Sequence, residues 1–283
     1  MDIVIAIAAG LLGVLAGGVI NALADDLPHR RKPERPHYPD GTPRPFSAWL
    51  GLSAFLTGQR EPPDDALPSP DWNVDSPLGG GERSASRRLS WRHPLVEIVM
   101  GGAFAAMSLA FAGEPNLPAW LVYVAIMALI TVIDVEHRLI LFVVIVPSCL
   151  FALAVAAVSP EGGKPFSDFL IGGALAFALF FAMFLGGGAF SAFMQRDEVA
   201  FGFGDVMLAT LSGFILGWRA FIFAALITVF VGAAGAVLYL MGRMLIRRRY
   251  KWFTPLPYGP YIVIGTLIML LFRDEVARLL GGG

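Results

Sequence analysis

The chain has 283 residues, a formal net charge of −1 and one cysteine, with 56% hydrophobic and only 15% charged residues, against about 45–50% and 25% in a soluble domain. A water-soluble globule of this length cannot hide that much apolar surface, and the balanced charge with no dominant basic stretch excludes a nucleic-acid binder. The lone Cys149 excludes a disulfide framework and a multi-cysteine zinc site, which leaves a polytopic membrane protein.

A bilayer core of about 30 Å needs roughly 20 apolar helical residues. Eight stretches qualify: about 3–24, 95–112, 117–133, 139–158, 168–190, 205–217, 219–242 and 257–272. The first lacks the basic flank of a signal peptide and reads as a helix. The sixth is the weakest, being short and separated from the seventh only by Gly217-Trp218-Arg219. With eight spans and an external N-terminus, 17 of the 21 Lys and Arg residues fall on the cytoplasmic side, which is the positive-inside bias. A re-entrant 205–217 would instead place Arg243, Arg247, Arg248, Arg249 and Lys251 outside. The expected fold is an all-α integral membrane bundle of about eight transmembrane helices with one Pro/Gly-rich cytoplasmic segment. Its parts are a first helix (1–24), that segment (25–94) and a seven-helix membrane core (95–283).

Residues 25–94 carry 12 of the 20 prolines, ten basic and ten acidic side chains, and no cysteine. Pro62-Pro63, Gly79-Gly80-Gly81 and Ser84-Ala85-Ser86 read as linker. The stretch from Phe46 to Leu52 reads as an amphipathic piece lying against the membrane surface. The remainder is expected to stay largely disordered, tethered to the first two spans without a packed core.

Acidic residues in or at the ends of apolar spans are costly and call for a reason. Four places qualify: Glu97, Asp134 with Glu136, the pair Asp197–Glu198, and Asp205. The span pattern puts Asp134 at the end of the third span and Asp205 at the start of the sixth, both on the cytoplasmic side. Two close carboxylates share a proton: the ionised one draws a proton from water and the neutral one donates to a carbonyl oxygen. Gly202 and Gly204 let the backbone leave helical geometry and approach an extended substrate. Simpler readings stand beside these. Asp134 pairs with Arg138 one turn on; Asp205 is a helix N-cap; Glu97 hydrogen-bonds another helix; Asp197–Glu198 is a solvated loop. His93 and His137 read as surface residues, and no ligand cluster points to a metal. Lys164 and Lys251 lie outside the spans, so a serine–lysine nucleophile has little support.

Gly202-Phe203-Gly204-Asp205 opening a helix, with Ile133-Asp134-Val135-Glu136-His137-Arg138 ending an earlier one, resembles the type IV prepilin peptidases, GxGD aspartic proteases of the bacterial inner membrane. Trp91-Arg92-His93-Pro94 is similar to the start of that family's second helix, Leu216-Gly217-Trp218 to the turn after its Gly-x-Gly-Asp helix, and Leu256-Pro257-Tyr258-Gly259-Pro260-Tyr261 to its last helix. The resemblance spans about 1–30 and 88–272.

It implies an endopeptidase with Asp134 and Asp205 catalytic and Gly202, Gly204 and Glu136 positioning substrate. The substrate it implies is a prepilin or pseudopilin precursor whose basic leader is cut, after a glycine, at the cytoplasmic face of the inner membrane. The partners are that precursor and the lipid bilayer; no metal or cofactor is expected. The chain departs from the family at Met207, where a Lys is usual, and at Leu141-Phe142, where Pro and then Asp or Asn are usual. Many members carry two zinc-binding Cys-x-x-Cys pairs in the first cytoplasmic segment and methylate the new N-terminus; without cysteines in 25–94, methyl transfer is not carried over. The competing classes are a catalytically silent assembly component of a pilus or secretion apparatus, and a carboxylate-dependent transporter, which would predict inverted repeats.

Overall fold

Backbone amides and carbonyls placed in lipid must be satisfied within the chain, and long apolar runs do this by forming helices. The computed structural model describes residues 2–29, 32–63, 87–158, 163–193, 202–247, 258–272 and 275–276. Among them are nine α-helices: α1 (Asp2–Asp26), α2 (Gly51–Leu56), α3 (Arg92–Ala110), α4 (Leu117–His137), α5 (Phe142–Val158), α6 (Phe166–Phe193), α7 (Phe203–Leu216), α8 (Trp218–Arg247) and α9 (Gly259–Leu271). Apart from α2, they match the eight expected spans in order. Five are long and apolar enough to cross a bilayer, while α5, α7 and α9 are shorter apolar helices. The protein is an all-α, multi-pass membrane protein. The linker stretches 79–81 and 84–86 and the Asp197–Glu198 pair lie outside the described residues.

Two compact units divide within α4, at Leu129 and Ile130. In the first, α1 packs on α3, and the contact is made by backbone. A Cβ on Gly13 would strike the Met100 carbonyl, and one on Gly17 would lie 2.6 Å from Glu97 Cα. Small residues let helices approach this closely where lipid supplies no hydrophobic drive. Glu97, fully buried, then reaches sideways. Its Oε1 accepts the Gly51 amide at 2.6 Å and its Oε2 the Leu52 amide at 2.7 Å, satisfying two of the orphan donors that open α2. Asn21 of α1 bonds the same carboxylate at 3.5 Å and the His93 carbonyl at 2.9 Å.

The expectation that 25–94 lacks a packed core is corrected for its described part. Tyr38, Ala48, Ala54 and Leu89 form a small buried cluster with Phe55 against it. An ionic layer ties this cluster to the ends of α1 and α3. Asp25 pairs with Arg92, with His93 (3.2 Å) and with Arg44 (3.6 Å), and Asp26 pairs with His37 at 2.8 Å. His93, expected at the surface, is buried by these contacts. A lack of periodic hydrophobicity gave no warning of this, because scattered polar groups hold the layer. Phe46 and Trp49 are both exposed, with rings 5.0 Å apart.

In the second unit α7 is the hub, packing on α5, α6, α8 and α9. Gly213 of α7 meets Gly172 and Gly173 of α6 backbone to backbone. Thr266 of α9 donates to Ser212 of α7 at 2.7 Å, both buried. Only Gly217 separates α7 from α8; its φ of 74° is a left-handed value that suits glycine, and its amide closes on the Gly213 carbonyl at 2.9 Å. Lys164 caps the other end of α7's last turn at the Leu216 carbonyl, 3.3 Å away.

Glu97→Ala leaves the Gly51 and Leu52 amides without their acceptor and should cost about 2–4 kcal/mol of local stability, read as faster limited proteolysis within 51–63; unchanged cleavage kinetics would contradict the capping role. The pH dependence is also fixed in sign. Burial alone would lower the His37 pKa, but the Asp26 hydrogen bond, the Tyr38 carbonyl and the charges of Asp26 and Asp25 outweigh it and raise it. Both ring nitrogens face acceptors, as an imidazolium requires. The layer should therefore be tightest below the ordinary histidine value, about 6.5, and should loosen as pH rises through the raised one. His37→Gln should flatten that dependence.

Candidate active site

Three helix ends converge in the second unit. The first is the C-terminus of α4. Arg138 takes a positive φ of 53° and its amide returns to the Asp134 carbonyl at 2.8 Å, ending the helix. Asp134, in that last turn, is 5% exposed. It forms no ion pair with Arg138 among the described residues, although the arginine's charge acts on it. Its carboxyl group faces Gly259, where an added Cβ would lie 2.5 Å from Oδ2, and Oδ2 is buried without a partner among the described residues.

The second is the N-terminus of α7. Gly202 is extended (φ −86°, ψ 149°). Asp205 then turns back, its Oδ2 accepting the Gly202 amide at 3.2 Å. It thus helps to close its own helix end, as the N-cap reading anticipated, from the third helical position rather than the cap itself. Asp205 is half-buried. Phe203 stitches this end to its neighbours, lying 6.0 Å from Phe142 of α5 and 5.8 Å from Phe184 of α6 between ring centroids.

The third is the start of α9, at Tyr258 and Gly259. Ile140, in the turn after α4, wedges between the glycines. A Cβ on Gly204 would lie 2.7 Å from Ile140 Cβ, and one on Gly259 would lie 3.5 Å from Ile140 Cδ1. Asp134, whose carboxyl group faces Gly259, and Asp205, which follows Gly204, flank the same Ile140 side chain. The helix ends thus bring together two acids on separate elements, walled by glycine backbone and aromatic rings.

This constellation lies in a recognisable stretch, since residues 121–237 match the Type IV leader peptidase family. Those residues belong to that family. The prepilin leader peptidase/N-methyltransferase of Bacillus subtilis is 28% identical over 195 residues, covering 69% of this chain and 71% of that protein. The protein of the same name from Pseudomonas aeruginosa is 27% identical over 287 residues, covering 95% and 90%. That from Myxococcus xanthus is 33% identical over 154 residues, covering 54% and 44%. No solved structure matches the chain significantly.

Of the residues singled out from sequence, Asp134, Asp205, Gly202 and Gly204 all lie at these converging helix ends. Glu136 is exposed, with its carboxylate 3.9 Å from His137 Nε2. Two residues along a helix from Asp134, it points to another side. Glu97 serves α2 instead. The first cytoplasmic segment has no thiol; among its described residues no three His, Cys, Asp or Glu side chains are grouped to hold a metal ion, and Asp25 and Asp26 are engaged by Arg92, Arg44 and His37. Sequence reasoning gave no role to Ile140 or Gly259, whose contacts are purely tertiary, nor to Phe203, whose position between the two glycines of the motif was the available signal.

Gly204→Ala forces Ile140 to move and should destabilise by about 1–3 kcal/mol. Gly202→Ala, whose added carbon would meet only Asp205 Oδ2 at 3.5 Å among side chains, should cost under about 1 kcal/mol. Thermal unfolding of the detergent-solubilised protein separates the two, and equal losses would show that Ile140 does not confine Gly204.

Proposed function

We propose that this protein is an intramembrane aspartic endopeptidase that removes the basic leader from prepilin-like precursors at the cytoplasmic face of the inner membrane. The observation that carries the reading is that Asp134 and Asp205 come from separate helix ends to flank Ile140, within residues that match a leader peptidase family. One carboxylate is ionised and takes a proton from water; the resulting hydroxide attacks the scissile carbonyl carbon. The other, neutral, gives its proton to the carbonyl oxygen. Collapse of the tetrahedral intermediate breaks the C–N bond, and the proton gained by the first carboxylate goes to the leaving amine. No covalent intermediate forms.

The substrate class follows from the surroundings. An apolar helix reaches the site through lipid, and a basic leader is drawn by the acidic groups at the same membrane face. Glycine at 202, where an added Cβ would meet only Asp205 Oδ2 among side chains, leaves room for an extended backbone, and Glu136, exposed on another side of α4, attracts leader charge. The 17 basic residues assigned to one side support a cytoplasmic active site. The relatives' names include N-methyltransferase; cleavage alone is proposed for this chain, whose first cytoplasmic segment lacks the cysteine pairs. The Phe203–Phe142 stack stands where the family pattern has a polar residue, so substrate positioning here is more apolar.

Asp134→Asn and Asp205→Asn should each lower cleavage of a model precursor by at least about 1,000-fold while the protein still inserts, and Glu136→Gln should retain measurable turnover. Near-normal turnover of either aspartate variant would remove the dyad. A reporter fused after Gly283 should read as external and one within 60–80 as cytoplasmic; a cytoplasmic C-terminus would separate the two aspartates across the membrane.

A further inference from the structure

The start of α9 is the one wall of the site to which this chemistry assigns no part. Gly259 opens that helix, where the first amides have no acceptor within the helix. Pro260, next in line, has no N–H to give, and the amides of Tyr261 and Ile262 return to the Tyr258 carbonyl at 3.1 and 3.3 Å. The Gly259 amide is thus the first-turn donor left over, with the Asp134 carboxyl group beside it. The positive end of the helix dipole favours an anion there.

The second observation is steric. Gly259 has no positive φ, so its backbone alone does not require glycine. A Cβ built there lies 2.5 Å from Asp134 Oδ2 and 3.2 Å from Asp134 Cγ, with Ile140 Cδ1 at 3.5 Å beside them. The space that any side chain would need is where the carboxyl group sits. Nor can α9 retreat. Thr266 is bonded to Ser212 of α7, and Gly265 packs on Thr228 and the Ala224 carbonyl of α8. The third observation is Oδ2 itself, on a side chain that is 95% buried and with no partner among the described residues.

We propose that Gly259 is a positioning residue for Asp134: its missing side chain leaves the space that the carboxyl group occupies, and so sets where that group stands for proton transfer. This inference rests on the dyad reading above. It separates Gly259 from Gly202 and Gly204, whose space serves the substrate and Ile140.

The test is a double-mutant cycle with two readouts. Gly259→Ala should lower kcat for a model precursor about a hundredfold, as expected for a misplaced catalytic group, with KM changed by less than about threefold, because no substrate contact is removed. It should also lower Tm, and that loss should disappear in an Asp134→Ala background, where the carboxyl group it strikes is gone. Retained turnover, or an equal Tm loss in both backgrounds, would overturn the inference. If Gly259→Ala alone does not fold, recovery of folded protein in Gly259→Ala/Asp134→Ala supports the contact, and failure of the double variant refutes it. An active Asp134→Asn would bring down the dyad itself, whereas an inactive Asp134→Asn beside a fully active Gly259→Ala would bring down this inference alone.

Discussion

Close approach of helix backbones is the constraint on which the rest of this structure depends. In lipid, apolar side chains gain nothing by leaving their surroundings for one another, so helices associate where small residues let dispersion and hydrogen bonds operate at short range. Gly13 and Gly17 of α1 meet the backbone of α3 in this way, and Gly172 and Gly213 do the same between α6 and α7. The same device continues into the site. Gly204 admits Ile140, and Gly259 admits the Asp134 carboxyl group. Helix packing and the surroundings of both aspartates are thus shaped by one residue type.

The first unit solves a different problem. A short polar segment between two spans buries little apolar surface, yet residues 33–63 are pinned to the ends of α1 and α3. Buried Glu97 supplies the acceptor for α2's opening amides, and Asp25 and Asp26 gather two arginines and two histidines. Each charge there is paired or multiply hydrogen-bonded, the condition under which burial of charge is tolerated. The ties are reciprocal, since the arginines and histidines come from both the segment and α3.

Much of this was legible in the sequence, and the boundary is physical. Hydropathy located eight helices because the bilayer imposes length and apolarity on each segment separately. Asp134 and Asp205 stood out because an acid at the end of an apolar run is rare. The ordered part of 25–94 was missed since its partners, Asp26 with His37 or Asp25 with Arg92, are held by tertiary contact and leave no period in the chain. Gly259 was invisible as a site residue for the same reason: among 32 glycines, only the neighbour across the gap distinguishes one that makes room for a carboxyl group. Glu136 drew notice by its place in the motif, and helix geometry turned it away from Asp134.

The shortness of α7 and α9 reaches beyond packing. At 14 and 13 residues and 1.5 Å per residue, they span about 21 and 20 Å, against a hydrocarbon layer of about 30 Å. Neither is long enough to reach from one face of such a layer to the other, and α7, enclosed by α5, α6, α8 and α9, meets mostly protein along its length. At least one end of each therefore lies within the depth of the layer, and these are the helices whose ends carry Asp205 and contact Asp134. A dyad that hydrolyses membrane-embedded chains, as proposed, draws its second reactant, water, to carboxylates at the ends of helices too short to cross the layer.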